Sequence, residues 1–249
     1  LRAAASTRLQ TLLLDVTSSQ SIAATAAWVR ERVGDRGLWG LVNNAGIGGF
    51  VAPNEWLTRD DFTKVLDVNL LGLIEVTLSL LPLVRRARGR VVNVASAMGR
   101  VPLFGGGYCI SKFGVEAFSD TLRRELRPFG VKVSIIEPGA FWTPLVDPAK
   151  VGNGLKHLWE RLPAETQAAY GYGFVEAGAW RSAQLLRLSS ARLCRATATM
   201  AHALLARCPR SRYAAGWDAR LLFLPLSYCP AWLSDALINL ILPSPAGTT

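Results

Sequence analysis

Tyr108 and Lys112 are the residues whose types and spacing are best suited to chemistry. On a helix, residues four apart lie on one face, so the phenol and the ammonium point into the same space. A free phenol has a pKa near ~10, and lowering it to about 7 requires roughly 4 kcal/mol of preference for the phenolate. One cation at about 4 Å, at an effective dielectric near 20, supplies about that much. The pair is predicted to be an acid–base device for a hydroxyl or carbonyl substrate, the alternative being an ordinary aromatic and basic pair on a surface helix.

Apolar runs that alternate with helical patterns are the elements that must position this pair. Strands are predicted at Leu9–Val16, Leu38–Val42, Arg90–Val94 and Val131–Ile136, with an edge strand at Arg212–Gly216. Helices are predicted at Ser21–Val33, from Phe62 to Arg86 with a capped start at Thr58–Asp61 and a break near Gly72, and at Tyr108–Arg127. This alternation indicates βαβ units and hence an α/β fold with a parallel sheet.

The unusual small and polar residues fall where these strands end. Such residues are Asp15 after the first strand, Asn43–Gly46 (with Ala45) after the second, Ser96 after the third, and Pro138, Gly139 and Thr143 after the fourth. Any one of them could be turn chemistry. Because ligands bind at the carboxyl ends of the strands in parallel α/β sheets, their common position predicts a ligand site at that edge.

Composition limits the classes of protein that fit. The 249 residues are 50% hydrophobic and 18% charged, which suits a single globular domain, and the net charge is +10. The arginines are mostly scattered and no nucleic-acid-binding motif accompanies them, so no nucleic-acid partner is expected. Four cysteines without a CxxC pair and two isolated histidines predict neither a metal site nor a disulfide scaffold. Cys109 is interpreted as a small buried residue rather than a nucleophile.

The chain resembles a short-chain dehydrogenase/reductase over essentially all of its length. The motifs that carry the resemblance are Asn43-Asn44-Ala45-Gly46, Asn69 in Asp67-Val68-Asn69, Ser96, Tyr108-Cys109-Ile110-Ser111-Lys112, and Pro138-Gly139 with Thr143. The runs 106–112, 115–120 and 212–219 are similar to the branch of retinol dehydrogenases and 3α- and 17β-hydroxysteroid dehydrogenases. The resemblance implies one domain with a Rossmann-like doubly wound parallel sheet at 1–144 and a helical substrate cap with an apolar end at 145–249.

The resemblance also implies catalytic roles, and nicotinamide supplies the hydride chemistry. Tyr108 would be the general base in alcohol oxidation and the acid in carbonyl reduction. Lys112 would lower the pKa of Tyr108 and hold the nicotinamide ribose, and Ser96 would hydrogen-bond the substrate oxygen. Asn69 would hold a water that links Lys112 to solvent, with a helix kink near Gly72 as the alternative.

Further residues are implied to bind the cofactor, expected to be NAD with NADP left open. Asp15 would accept a hydrogen bond from the adenine amine, or it would cap the next helix. The backbone at Asn43, Ala45, Gly46, Pro138 and Gly139 would approach the cofactor closely, and Thr143 would bond its carboxamide.

Two departures from the family pattern lead to two functional hypotheses. Trp142 stands where this branch usually has Arg or Lys, and the family's Gly-rich phosphate loop is absent. The chain is therefore interpreted as lacking its first βαβ unit, and as it stands it is expected to be inactive and a poor NAD binder. The first hypothesis is oxidation or reduction of a lipophilic retinoid or steroid; the alternative is a truncated, non-catalytic relative that acts as a binding or scaffolding protein.

The apolar C-terminal end predicts contact with a membrane. Ala231–Leu242 places Ser234, Asp235 and Asn239 on one side of a helix of about 18 Å, shorter than the ~30 Å hydrocarbon core. The segment is expected to lie in the membrane interface, the alternative being packing over the substrate pocket. The resemblance implies association with the endoplasmic reticulum membrane and is compatible with a homodimer.

Overall fold

The computed structural model describes residues 6–143 and 147–245, in which ten α-helices surround one sheet of four strands. In chain order the elements are α1 Ser19–Val33, β1 Gly40–Asn43, α2 Arg59–Leu66, α3 Gly72–Arg86, β2 Arg90–Val94, α4 Gly107–Leu126, β3 Lys132–Pro138, α5 Pro148–Trp159, α6 Ala164–Tyr170, α7 Tyr172–Arg187, α8 Cys194–Leu205, β4 Arg212–Ala215, α9 Leu224–Leu226 and α10 Ala231–Asn239. The predicted α/β class is confirmed, and β1 begins two residues later than the pattern suggested.

All neighbouring strands are parallel, in the order β1-β2-β3-β4. The register pairs Leu41 with Val91 and Ile136 with Tyr213, so the carboxyl ends of the four strands lie at one edge of the sheet. Both faces are covered, because neighbouring residues such as Val91 and Val92 are each fully buried. Near-continuous apolar strands of this kind are typical of parallel sheets with helices on both sides.

The long helical segment between β1 and β2 has a defined start and a defined break. Thr58 and Asp61 form a capping box at the start of α2. A π-helical turn, Asp67–Leu71, then separates α2 from α3, and Gly72 follows it. The predicted cap and the predicted break near Gly72 are both confirmed.

Leu9–Val16 does not form the predicted strand. The segment is irregular, and its Asp15 N–H donates to the Ser21 hydroxyl rather than to a neighbouring strand. Leu14 and Val16 pack against the cluster that α1 and α3 form, whereas Leu13 is 93% exposed. An apolar run becomes a strand only where another strand offers its backbone groups, and among the described residues none pairs with this segment.

The later part of the chain caps the sheet and also extends it. The predicted boundary after residue 144 falls outside the described residues. Helices α5 and α7 pack together over residues 50–57, whereas α8 packs on the sheet through Ala203. The expected edge strand is confirmed as β4, which pairs with β3, so residues from the predicted cap complete the sheet.

Candidate active site

Helix α4 begins immediately before Tyr108, at a point where the backbone needs glycine. Gly106 has φ +103°, and a Cβ there would press against the carbonyl oxygen of Phe50. Its N–H donates to the Asn54 side chain at 2.9 Å, which fixes the entry into the helix. Tyr108 and Lys112 consequently lie one turn apart at the start of α4, as their spacing predicted.

Tyr108 is hydrogen-bonded to the side chain of Ser96. Burial raises the pKa of Tyr108, and the hydrogen bond to Ser96 only partly offsets that effect. The net direction is opposite to the one that the sequence argument required. Ser96 follows β2, and its hydroxyl also accepts from the Met98 N–H at 3.1 Å, so the side chain that faces the phenol is held by its own loop.

Lys112 is held by strand β2 rather than by the phenol. Its Nζ donates to the carbonyl oxygen of Val94 at 2.9 Å and lies 5.7 Å from the centroid of the Tyr108 ring. A positive charge beside the ring favours the phenolate over the phenol. Burial lowers the pKa of Lys112 to about 8. The two side chains therefore lie side by side, as their helical spacing predicts.

Asn69 lies in the π-helical turn and is fully buried. Its Oδ1 accepts from the Ile47 N–H at 2.8 Å, and its Nδ2 donates to the Ile47 carbonyl at 2.8 Å and to the Ser111 hydroxyl at 3.1 Å. A Cβ on Gly46 would lie 3.3 Å from Asn69 Oδ1 and 3.7 Å from Lys112 Nζ. Asn69, Gly46 and Lys112 are thus brought together as predicted, and Asn69 fixes the segment that follows β1.

A cleft of about 720 Å³, called the central cleft below, opens at the carboxyl ends of the strands. Its walls include six of the predicted site residues: Gly46, Ser96, Tyr108, Pro138, Gly139 and Thr143. Residues of α5 and α7, among them Val151 and Leu185, line the opposite side and are mostly apolar. The predicted ligand edge and the predicted cap therefore enclose one cavity.

Asp15, Asn43 and Ala45 do not line this cleft. Asp15 is exposed, and its carboxylate accepts from the N–H and the hydroxyl of Thr17 at 2.9 and 2.7 Å, which lowers its pKa. The cap of α1 is instead Ser18, so the capping alternative for Asp15 is wrong. Asn43 turns its side chain inward, where it donates at 2.8 Å to both Thr77 Oγ1 and Asn93 Oδ1; Ala45 is exposed on the loop after β1.

Asp218 is a site residue that the sequence reasoning missed. It is buried, it lines the central cleft, and one carboxylate oxygen accepts from the Ala140 N–H at 2.6 Å. The other oxygen has no hydrogen-bond partner among the described residues. A Cβ at Gly139 or at Gly216 would collide with this carboxylate, so both glycines are required by its position. The signal in the sequence that could have identified Asp218 is its position within the run 212–219, one of the three runs that carry the resemblance to the family branch.

A buried charge cluster behind α4 was also missed. Arg212 contacts Glu116 at 3.0 Å and Asp120 at 2.6 Å, while Arg100 contacts Glu137 at 3.1 Å. Burial, reinforced by the charge of Glu137, raises the pKa of Glu116 to about 7 although Arg212 opposes the shift. Arg212 thus ties β4 to the helix that carries Tyr108, and Arg100 ties the loop after Ser96 to β3.

Cys109 lies beside Tyr108 near the start of α4. Cys109 is buried, and burial raises the pKa of its thiol, which disfavours the reactive thiolate. Within residues 6–143 and 147–245, no group of three or more His, Cys, Asp and Glu side chains could hold a metal ion.

Trp142, the departure noted in the sequence, is half exposed, and its backbone N–H donates to the Ser190 carbonyl at 3.1 Å.

A parallel sheet with Ser96, Tyr108 and Lys112 at its carboxyl edge defines a class of oxidoreductase. The sequence matches the family model for short chain dehydrogenase over residues 1–152. The chain therefore belongs to the short-chain dehydrogenase/reductase family, which generally binds NAD or NADP.

The similar proteins narrow the branch. The chain is 58% identical to human retinol dehydrogenase 16 over 246 residues, which cover 99% of this chain and 78% of that protein. It is 54% identical over 239 residues to bovine short-chain dehydrogenase/reductase family 9C member 7, covering 96% of this chain and 76% of that protein. Among solved structures, a short-chain dehydrogenase from Streptomyces avermitilis matches with a TM-score of 0.68 at 29% identity, over 96% of this chain and 79% of that chain.

Proposed function

We propose that this protein interconverts a retinoid alcohol and its carbonyl compound with NAD as the redox partner, and that Tyr108 is the acid–base group. The observation that carries the proposal is the contact between the Ser96 and Tyr108 side chains on the wall of the central cleft. The similarity to retinol dehydrogenases supports a retinoid substrate rather than a steroid. The mostly apolar cap side of the cleft supports a lipophilic one.

The residues present fit the nicotinamide end of such a cofactor. Gly46 leaves space that a Cβ would fill beside Lys112, and Pro138, Gly139 and Thr143 line the same cleft. We assign the ribose hydroxyls to Lys112 and the carboxamide to Thr143. A nicotinamide held there would supply the hydride acceptor for alcohol oxidation and the hydride donor for carbonyl reduction. NAD rather than NADP is proposed on family likeness alone, and the roles of Asp15 and of the backbone at Asn43 and Ala45 stay predictions.

The chain's own residues handle the proton. In oxidation, the Tyr108 oxygen takes the proton of the alcohol hydroxyl while the Ser96 hydroxyl hydrogen-bonds the same substrate oxygen. In reduction, Tyr108 returns the proton to the carbonyl oxygen. Because burial raises the pKa of Tyr108, the phenol is neutral at pH 7 and is ready for the acid role. The positive charge of Lys112 favours the phenolate that the base role needs.

The decisive experiment compares Tyr108→Phe with Tyr172→Phe. The first change removes the proton-transferring hydroxyl at the cleft, and the second removes a hydroxyl from a half-exposed tyrosine outside it. In a protein that also carries the family's Gly-rich phosphate loop ahead of residue 1, we expect Tyr108→Phe to lose all-trans-retinol oxidation by about a hundredfold or more while NAD affinity changes little, which matches the range for acid–base catalysis. Tyr172→Phe should keep its activity. Retention of more than a few per cent of activity by Tyr108→Phe would overturn the mechanism.

The same assay decides between the enzyme and the alternative, a non-catalytic binding or scaffolding protein. That alternative came from the missing Gly-rich phosphate loop, whereas the assembled Asn69, Ser96, Tyr108 and Lys112 set favours the enzyme. If the unmodified chain binds retinol by fluorescence quenching but shows no NAD-dependent turnover, the binding role is supported. Measurable turnover that Tyr108→Phe abolishes supports the dehydrogenase.

We also propose that the C-terminal end lies against a membrane. Helix α10 is nine residues long and leaves Trp232 and Leu240 more than 70% exposed. Among the described residues, none from 231 to 242 lines the central cleft, although Arg181 of α7 donates to the Ile241 and Leu242 carbonyls, a contact that favours the packing alternative. The segment Arg59–Arg86 is long and apolar enough to cross a membrane, but its α3 half packs on the sheet. Endoplasmic reticulum attachment and a homodimer are part of this proposal on family likeness.

A further inference from the structure

A second cavity, of about 660 Å³, lies between α8 and β4 and is called the arginine pocket here. It is lined by Arg195, Ala198, Thr199, His202, Arg210, Tyr213, Ala215, Gly216, Trp217, Arg220 and Leu221. Only Trp217 lines both this pocket and the central cleft. The two cavities are therefore adjacent but separate, and the proposed dehydrogenase reaction uses none of the charged residues of the second one.

All the charged residues that line the arginine pocket are arginines. Arg195, Arg210 and Arg220 contribute three guanidinium groups, and the lining contains no aspartate or glutamate. None of the three forms an ion pair within the described residues, whereas Arg100, Arg123 and Arg212 do. Unpaired arginines on one concave surface concentrate positive potential and attract anions.

Several polar groups of the pocket are fixed in place before any ligand binds. Arg220 Nε donates to the Ala214 carbonyl at 3.0 Å, which positions its guanidinium at the end of β4. The buried Tyr213 hydroxyl accepts from the Arg210 N–H at 2.8 Å and lies 2.8 Å from His202 Nδ1. Part of the polar lining is thus held in place before any ligand binds, so less side-chain entropy is lost on binding than at a loose surface patch.

We propose that the arginine pocket binds a phosphate monoester. Guanidinium groups match phosphate through paired, charge-assisted hydrogen bonds, and three of them surround a tetrahedral anion better than a planar carboxylate. The cavity is far larger than one phosphate group, so it has room for an organic part against Trp217 and the exposed Leu221. A free phosphorylated metabolite and an anionic lipid headgroup share this chemistry.

The first experiment titrates inorganic phosphate and glycerol 3-phosphate into the 249-residue protein by calorimetry at low salt. The double variant Arg195→Gln/Arg210→Gln removes two guanidinium groups from the pocket. The control Arg192→Gln/Arg207→Gln removes the same charge from exposed arginines that do not line it. We expect saturable binding that weakens at least about tenfold in the pocket variant, on the scale of lost charge-assisted hydrogen bonds, and stays within about twofold in the control.

A second arm separates the two sources of phosphate. Sedimentation with phosphatidylcholine vesicles, with and without phosphatidic acid, is measured for the same proteins. Binding to phosphatidic acid vesicles that the pocket variant loses and the control keeps assigns the site to a lipid headgroup; loss confined to glycerol 3-phosphate assigns it to a soluble ester. The phosphate affinity of Arg195→Lys, which keeps the charge but loses the planar guanidinium, should lie between those of the wild type and the pocket double variant. Equal losses in pocket and control variants, or no binding in either arm, would overturn the proposal.

Discussion

Replacing Lys112 by methionine should leave the fold at least as stable as the wild type at neutral pH while removing activity. Lys112 is 5% exposed, and burial lowers the pKa of its ammonium from 10.5 to about 8. The protonated form is therefore disfavoured in the folded state. Methionine has a similar length and no charge, so Lys112→Met removes this unfavourable term.

The magnitude follows from the shift in the pKa of Lys112. A shift from 10.5 to about 8 corresponds to about 3 kcal/mol of unfolding free energy at ~1.4 kcal/mol per unit. Below pH 8 both states are protonated and the penalty is complete; between 8 and 10.5 only the unfolded state binds the proton, so wild-type stability rises with pH. The variant leaves the Val94 carbonyl without its donor, which costs about 1–3 kcal/mol. Near pH 7 the burial penalty of the charged lysine is about equal to, or larger than, the cost of the hydrogen bond lost in the variant. Above pH 10.5 the penalty is absent, so the wild type is more stable.

Urea unfolding followed by tryptophan fluorescence at pH 7, 8, 9 and 10 measures the difference between the two proteins. We expect the difference in unfolding free energy to move by about 2.5 kcal/mol in favour of the wild type between pH 7 and 10, since other titrating groups cancel. Lys64→Met, at an exposed lysine, is the control and should give a flat difference. Parallel pH profiles for wild type and Lys112→Met would refute the burial argument, and retained retinol oxidation would refute the assigned role.

Three further changes test separate parts of the structure. Asn69→Ala removes three hydrogen bonds and should lower the unfolding free energy by about 2–4 kcal/mol in urea, against less than about 0.5 kcal/mol for the exposed Asn153→Ala. Ala140 follows Pro138 and Gly139, whose backbone is proposed to face the cofactor, and Asp218 holds its N–H. Asp218→Ala should therefore raise the KM for NAD by a larger factor than it lowers kcat, and an unchanged KM would show that Asp218 does not position this loop. Trp232→Ser/Leu240→Ser should reduce vesicle sedimentation without changing turnover, and unchanged sedimentation would reject the membrane contact.

The parts of the fold that the sequence predicts well are those whose partners lie within the same repeating pattern. Arg90–Val94 was predicted with its observed bounds because a short run of buried β-branched residues suits a central parallel strand. The same argument failed at Leu9–Val16, where an equally apolar run meets no strand edge in the described residues. Strand identity depends on a partner, and composition says nothing about whether that partner is near.

The spacing along the sequence predicts that Tyr108 and Lys112 lie together. It does not predict the residues that hold the candidate site in place. Tyr108 and Lys112 are four apart, so helix geometry alone places them together. Asp218 reaches Ala140 across 78 residues, and no periodicity relates the two. The side chain of Asn43 joins β1 to β2 through Asn93, a contact that the prediction of a backbone role at the cofactor did not include. Long-range polar contacts of this kind depend on packing, which spacing along the chain does not encode.

The π-helical turn at Asp67–Leu71 agrees with the kink reading of Asn69, whereas its role in holding a water beside Lys112 stays a prediction. A turn of this kind inserts one extra residue between helical turns and rotates the following side chains, so Asp67–Leu71 breaks the long helix and redirects Asn69 toward β1. There the amide holds both backbone groups of Ile47, which fixes Gly46 beside Lys112 Nζ. A straight helix would turn this side chain elsewhere and leave the loop after β1 without its two hydrogen bonds. The kink is therefore the structural means by which Asn69 sets the position of the loop that faces Lys112.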